Sequence, residues 1–131
     1  MLYTALMAID HISLRVKDYQ KSKSFYAKVL KPLGYEILME FEGGAGMGAE
    51  GKPDFWLGGP MEGGQPHAAT HIAFRAPDRK AVDEFYKAAM AAGAKDNGGP
   101  GLRKEYHEHY YGAFVIDFDG HNIEAVTHRP E

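Results

Sequence analysis

The chain contains no cysteine among its 131 residues. That absence excludes a disulfide scaffold, a thiolate nucleophile, Cys-ligated zinc and iron–sulfur clusters. Any metal must therefore bind His, Asp, Glu, Tyr or water. No apolar run approaches the roughly 18 residues that suggest a membrane span. The first ten residues lack the basic start and long apolar stretch of a signal peptide, so the expected location is the cytoplasm, away from a membrane. Charge of either sign is neither scarce nor segregated: 15 Lys and Arg stand against 18 Asp and Glu, a formal net charge of −3. Without a basic stripe, nucleic acid is not an expected partner.

What is present is ordinary for a globular chain, with 44% hydrophobic and 25% charged residues. At roughly 100–200 residues per domain, 1–131 reads as one domain. Within it lies a weak repeat. Residues 10–34 align with 70–94 at an offset of 60, pairing His11 with His71, Ile12 with Ile72, Arg15 with Arg75, Asp18 with Asp78, Phe25 with Phe85 and Tyr26 with Tyr86. Six identities in 25 positions compare with about one or two from chance at ordinary residue frequencies. The domain thus reads as two modules, about 8–58 and about 68–128, joined by a Gly/Pro-rich linker over 58–64.

Each copy opens with an alternating strand. Ile12, Leu14 and Val16 take one face, and His11, Ser13 and Arg15 the other; His71, Ala73 and Arg75 repeat the polar side. Asp18 and Asp78 are natural N-caps for the helices that follow. Phe25, Val29 and Leu33 form the apolar stripe of the first helix, and Val82, Phe85 and Ala89 that of the second. Strand material follows at 35–41, 54–57, 110–116 and 122–127, with 117–121 as a hairpin turn. The glycine-rich stretch 43–51 reads as a flexible loop or lid, since it lacks the ending of a phosphate loop. The pattern is βαβββ twice, an α+β fold.

Seven histidines are present, and His67, His107, His109, His121 and His128 fall in loops or near strand ends. His11 and His71 differ, because the repeat gives them equivalent places on polar strand faces. If the halves pack about a pseudo-twofold axis, the two imidazoles approach each other in a shared cleft. Glu124 interrupts the apolar strand Ile123-Glu-Ala-Val126, where a buried acid costs several kcal/mol unless paired or metal-bound. Counting four residues on from Gly120 gives Glu124, and four on from Gly51 gives Phe55, its expected symmetric counterpart. His11, His71 and Glu124 are therefore the candidate metal ligands, a facial set that leaves positions open for water and substrate.

Three segments carry a family resemblance: Asp10-His-Ile-Ser-Leu-Arg-Val-Lys-Asp18 with Ser24-Phe-Tyr26, His71-Ile-Ala-Phe-Arg75, and Phe114-Val-Ile-Asp-Phe-Asp-Gly-His-Asn-Ile-Glu124. The chain resembles the vicinal-oxygen-chelate superfamily, which includes glyoxalase I, fosfomycin-resistance thiol transferases, bleomycin-resistance proteins and extradiol dioxygenases. The last segment is similar to the family's Asp-Pro-Asp-Gly hairpin, with Phe118 in place of proline.

The resemblance implies paired βαβββ modules cupped into an open barrel around a divalent ion, with His11, His71 and Glu124 as ligands and a homodimer as the assembly. It also implies a metal-dependent lyase/isomerase or transferase acting on a small oxygenated substrate; Glu124, with Tyr111 from the aromatic segment 106–111, is the candidate catalytic pair. The ion is zinc, manganese, nickel or iron(II), all of which suit two His and one Glu. It would act as a Lewis acid on two neighbouring substrate oxygens.

Glyoxalase I-like members use a further Glu, and that position here is Phe55, or Trp56 if the register slips by one. The fosfomycin enzymes' hydroxyl two residues after the first His has its counterpart in Ser13. Extradiol dioxygenases use the same triad, usually on chains twice this length, and remain the alternative; a drug-sequestering resistance protein without chemistry is another. Ser13, Phe55, Trp56, Tyr106 and Tyr110 are the candidate pocket residues, with Tyr110 or Tyr111 as proton donor or substrate hydrogen bonder. Arg15 and Arg75 either bind an anionic substrate or form salt bridges at the barrel rim.

Overall fold

Both helices begin where an aspartate side chain can accept a free amide. Asp18 accepts from the Lys21 amide at 3.1 Å and Asp78 from the Ala81 amide at 2.9 Å, so α1 runs over Tyr19–Val29 and α2 over Arg79–Ala91. These positions come from a computed structural model, which describes residues 9–59 and 69–131. The expected linker at 58–64 falls largely outside the described residues, as does His67. The chain after α1 makes one 3-10 turn, Lys31–Leu33, and leaves it through Gly34 at φ 92°.

The strands form two unclosed sheets. The first contains β1 (Ile12–Arg15), β2 (Glu36–Phe41), β3 (Gly44–Ala49) and β4 (Lys52–Gly58), in the order β1-β4-β3-β2. The second contains β5 (His71–Arg75), the short β6 (Lys95–Asp96) and β7 (Gly101–Leu102), β8 (Tyr111–Ile116) and β9 (Asn122–Thr127), with β5-β9-β8-β6 as its path and β7 also on β8. In each sheet the opening strand lies parallel to the closing one, β1 on β4 and β5 on β9. This is the expected α+β architecture, cupped and open.

Strand alternation divides each sheet into a core face and an open face. Leu14, Met47, Phe55 and Leu57 from the first sheet and Phe74, Val115, Ile123 and Ala125 from the second are buried in one shared core with the helix residues Phe25, Tyr26, Val82 and Phe85. Phe55 joins the halves: its ring stands edge-on to Tyr26 at 5.0 Å and to Phe74 at 5.1 Å. The opposite faces carry His11, Ser13 and Arg15 on β1 and its approach, and His71, Ala73 and Arg75 on β5, all exposed.

The stretch 43–51 is not a lid. Most of it is β3, buried along nearly its whole length between β2 and β4. Gly44, Gly46 and Gly48 alternate with Ala45, Met47 and Ala49, so the residues with side chains include the core's Met47 while the glycines leave the open face bare. A Cβ on Gly44 would lie 2.5 Å from the Phe41 ring, and one on Gly46 would lie 2.7 Å from the Trp56 indole. The glycines are there to let two aromatic rings lie on the sheet.

The 117–121 turn behaves as its sequence suggests. Asp117 Oδ1 accepts the amides of Asp119 (2.9 Å) and His121 (2.8 Å), and Gly120 takes φ 88°. Asp117 Oδ2 accepts the buried Tyr26 hydroxyl, and Asp119 accepts the Lys17 amide at 3.0 Å, which ties the turn to the first half. Burial, and then the Asp117 carboxylate, push the Tyr26 phenol well above its usual range, so it remains a donor. Asp117→Ala strands three donors and is expected to cost about 3 kcal/mol, against about 1 kcal/mol for Tyr26→Phe, which removes a single bond. Urea unfolding of the two variants measures the difference.

Candidate metal and substrate site

Glu124 sits on the open face of β9, paired with Ala73 on one side and Phe114 on the other. Its neighbours Ile123 and Ala125 enter the core, and Glu124 is itself only 1% exposed. Both carboxylate oxygens are engaged. His71 Nε2 lies 2.8 Å from Oε1, and the Tyr110 hydroxyl donates to Oε2. A Cβ at Gly112 would come within 3.4 Å of Oε2 and 3.2 Å of the Tyr110 ring, so a bare backbone there lets the phenol reach across. Burial first, and then Glu124, raise the Tyr110 phenol above its ordinary range. It stays neutral and donates throughout the working pH of most enzymes. His71, in contrast, has a half-exposed side chain.

The open face of the first sheet holds a depression of about 350 Å³, lined among others by His11, Ser13, Arg15, Phe41 and Trp56. His11 Nδ1 lies 2.8 Å from Asp10 Oδ1, and Lys52 Nζ lies 3.3 Å from the same oxygen. The bond from His11, and then Lys52, hold the Asp10 carboxyl below the usual carboxylate range. A carboxylate on Nδ1 fixes the tautomer that presents Nε2 as a ligand, the arrangement commonly found behind metal-binding histidines. Sequence reading overlooked Asp10, although its adjacency to His11 was the available signal.

Two expected site residues lie elsewhere. Phe55 is a core residue, 1% exposed, and belongs to the wrong face of β4. The register pairs Trp56 with Ser13 as it pairs Glu124 with Ala73, so Trp56 is the counterpart of Glu124. Tyr111 sits on the helix side of β8, where its hydroxyl donates to Asp83 at 2.7 Å and its ring underlies Arg79. It is not positioned to serve Glu124; Tyr110, of opposite strand parity, is. Tyr106 packs edge-on against Tyr110 at 5.1 Å and is exposed at the rim, and His128 meets the other side of Tyr110 at 5.2 Å.

The three candidate ligands are not gathered within the chain. His71 and Glu124 meet on the second sheet and His11 stands with Asp10 on the first; no group of three or more His, Asp or Glu able to hold a metal forms among the described residues. The expected gathering of His11 with His71 and Glu124 in one cleft is therefore not seen among the described residues.

The family model described as Glyoxalase/Bleomycin resistance protein/Dioxygenase superfamily matches residues 8–125. The chain belongs to this superfamily. No curated protein matches it. A glyoxalase/bleomycin resistance protein from Albidiferax ferrireducens superposes with TM-score 0.81 at 26% identity, covering 92% of this chain and 99% of that one. A lactoylglutathione lyase from Agrobacterium tumefaciens gives 0.68 at 20% identity, covering 92% of each. A mutant of the fosfomycin resistance protein FosX from Listeria monocytogenes, solved with Mn(II) and 1S,2S-dihydroxypropylphosphonic acid, gives 0.64 at 21%, covering 90% and 87%. The glyoxalase superfamily thus includes proteins that bind divalent metal and small oxygenated molecules. No helix among this member's described residues is long and apolar enough to cross a membrane.

The donors of this superfamily member suit such an ion. Imidazole nitrogen and carboxylate oxygen are ligands for zinc, manganese, nickel and iron(II) alike. The 2.8 Å between His71 Nε2 and Glu124 Oε1 is a hydrogen bond; two donors about 2.1 Å from one ion stand about 3.0–3.4 Å apart, so the pair need part only by a few tenths of an ångström to hold one.

Proposed function

We propose that the protein is a divalent-metal-dependent enzyme of the glyoxalase type, a lyase/isomerase or transferase acting on a small oxygenated substrate in the cytoplasm. In this reading it works as a homodimer whose sites are each shared between two chains, with His71 and Glu124 of one protomer and His11 of the partner subunit as ligands. The observation that carries the reading is Glu124: a carboxylate 1% exposed, on the face away from the core, with a half-exposed imidazole on one oxygen. Burying a charge there costs stability that an apolar residue would not, and ligand chemistry explains why it is kept. The shared site is supported by the two open faces, which bear the ligands outward on separate sheets.

A divalent ion held by these residues supplies Lewis acidity toward neighbouring oxygens of a substrate. The chain supplies the rest. Tyr110 holds Glu124 in orientation through Oε2 and leaves Oε1 toward His71. Asp10 sets the tautomer of His11. Ser13 and Trp56 form the wall beside His11.

Elemental analysis after reconstitution with manganese or zinc tests the ligands. The wild type is expected to hold close to one ion per chain, and His11→Ala and His71→Ala to hold none. Mixing these two variants tests the sharing. Random re-association of a two-fold dimer restores about a quarter of the sites, because half the dimers are mixed and each has one intact site. No restoration would place the whole site in one chain, and no ion in the wild type would overturn the metal reading.

A further inference from the structure

We infer that the depression on the first sheet selects a flat, aromatic carboxylate, with Arg15 binding the anionic group and Trp56 and Phe41 supporting the ring. This deepens the function proposed above and rests on its reading of that face as a wall of the active site.

The floor is built for a flat molecule. Trp56 lies over Gly46 and Phe41 over Gly44, at distances where a Cβ would collide with either ring. The two rings are 6.2 Å apart and inclined at 33°, closer to parallel than to edge-on. The outer face of Phe41 is not used by the core, since Phe41 is 59% exposed, and Trp56 is partly exposed beside it. Aromatic surface laid flat and left open offers stacking to a flat ring beyond the burial of its area. A saturated ring, thicker and without a π face, uses that geometry less well.

The charge comes from the other side of the same bare strip. Gly58 pairs with Gly44 across β4 and β3. Over this pair Phe41 reaches in from β2, while Arg15 reaches in from β1, with Nη1 3.0 Å from where a Gly58 Cβ would be. Arg15 makes no hydrogen bond or ion pair among the described residues, and neither does Arg75, its counterpart on the second sheet. Of the two roles open to these arginines in the sequence, rim salt bridges are thus not formed. In a chain of net charge −3, two arginines on the faces that bear the metal-ligand candidates are without an ion pair among the described residues. A guanidinium presents a fork that matches a carboxylate, and a depression of about 350 Å³ is within the usual range for small-molecule sites.

The chain's single tryptophan is Trp56, so its indole N–H gives one reporter signal in a ¹H–¹⁵N spectrum of the full-length, metal-free protein. Benzoate is expected to shift that signal saturably. Benzamide, which lacks the charge, is expected to bind at least tenfold more weakly, and cyclohexanecarboxylate, which lacks the flat ring, several-fold more weakly. Arg15→Gln should weaken benzoate binding at least tenfold, and Arg15→Lys should recover part of it. Trp56→Leu, followed by calorimetry, should lose the preference for benzoate over cyclohexanecarboxylate. Equal binding of benzamide, an unchanged affinity in Arg15→Gln, or no shift with millimolar benzoate would overturn the inference. A zinc titration of the same protein separates the two claims. Zinc bound without benzoate leaves the metal reading standing and removes this one; benzoate bound without zinc does the reverse.

Discussion

Gly48→Ala is expected to destabilise the protein by at least about 3 kcal/mol, lowering the melting temperature by about 10 °C or more. A Cβ at Gly48 would stand 1.9 Å from the Lys52 carbonyl oxygen, 2.8 Å from its carbon and 3.0 Å from Pro53 Cα. All three are backbone atoms of the neighbouring strand, so no rotamer change relieves the clash; β3 and β4 must separate. They meet there at an irregularity, where the register shifts between Met47 and Gly48, and the bulge brings the two backbones close. Gly46→Ala makes the informative contrast. Its Cβ meets only the outer edge of the Trp56 ring, so it should cost far less stability while lifting the indole from the sheet. Urea unfolding of both variants checks the order. A Gly48→Ala protein within 3 °C of the wild type would show that the bulge relaxes and that the close approach is not structural.

The same strand shows where the sequence was legible and where it was not. Helix starts at Asp18 and Asp78, the turn around Gly120 and the polar faces of His11 and His71 all depend on contacts a few residues apart, and local pattern reveals them. β3 failed because glycine is read as a breaker, although Gly44, Gly46 and Gly48 already stood at the two-residue spacing of a strand. What filled the bare face was Trp56 and Phe41, from neighbouring strands, and no local rule brings those together. The choice of Phe55 over Trp56 failed for a different reason. Counting from Gly51 and Gly120 assumes equal turns, yet Gly51 directly precedes β4 whereas Gly120 lies two residues before β9. One residue reverses the face of every side chain in a strand. The repeat likewise gave His11 and His71 equivalent places without saying which faces meet, because symmetry of sequence does not fix how two sheets pack.

Glu124→Gln is expected to weaken manganese binding at least 100-fold while leaving the melting temperature at or slightly above that of the wild type. The two effects have separate causes. The substitution keeps the shape of the side chain and removes a charge from a position 1% exposed, which relieves desolvation. Tyr110 can still donate to the amide oxygen, and His71, half-exposed, can turn to water for whatever it loses. The fold therefore has little reason to require the carboxylate. A divalent ion does, because a neutral amide is a much poorer ligand beside imidazole. Calorimetric titration with Mn(II) and a thermal melt on the same sample read both quantities. Lost binding with retained stability assigns Glu124 to ligation. A fall of 10 °C with binding intact would make it a structural anchor for His71 and Tyr110, and would turn the buried carboxylate from the support of the proposed function into an argument against it.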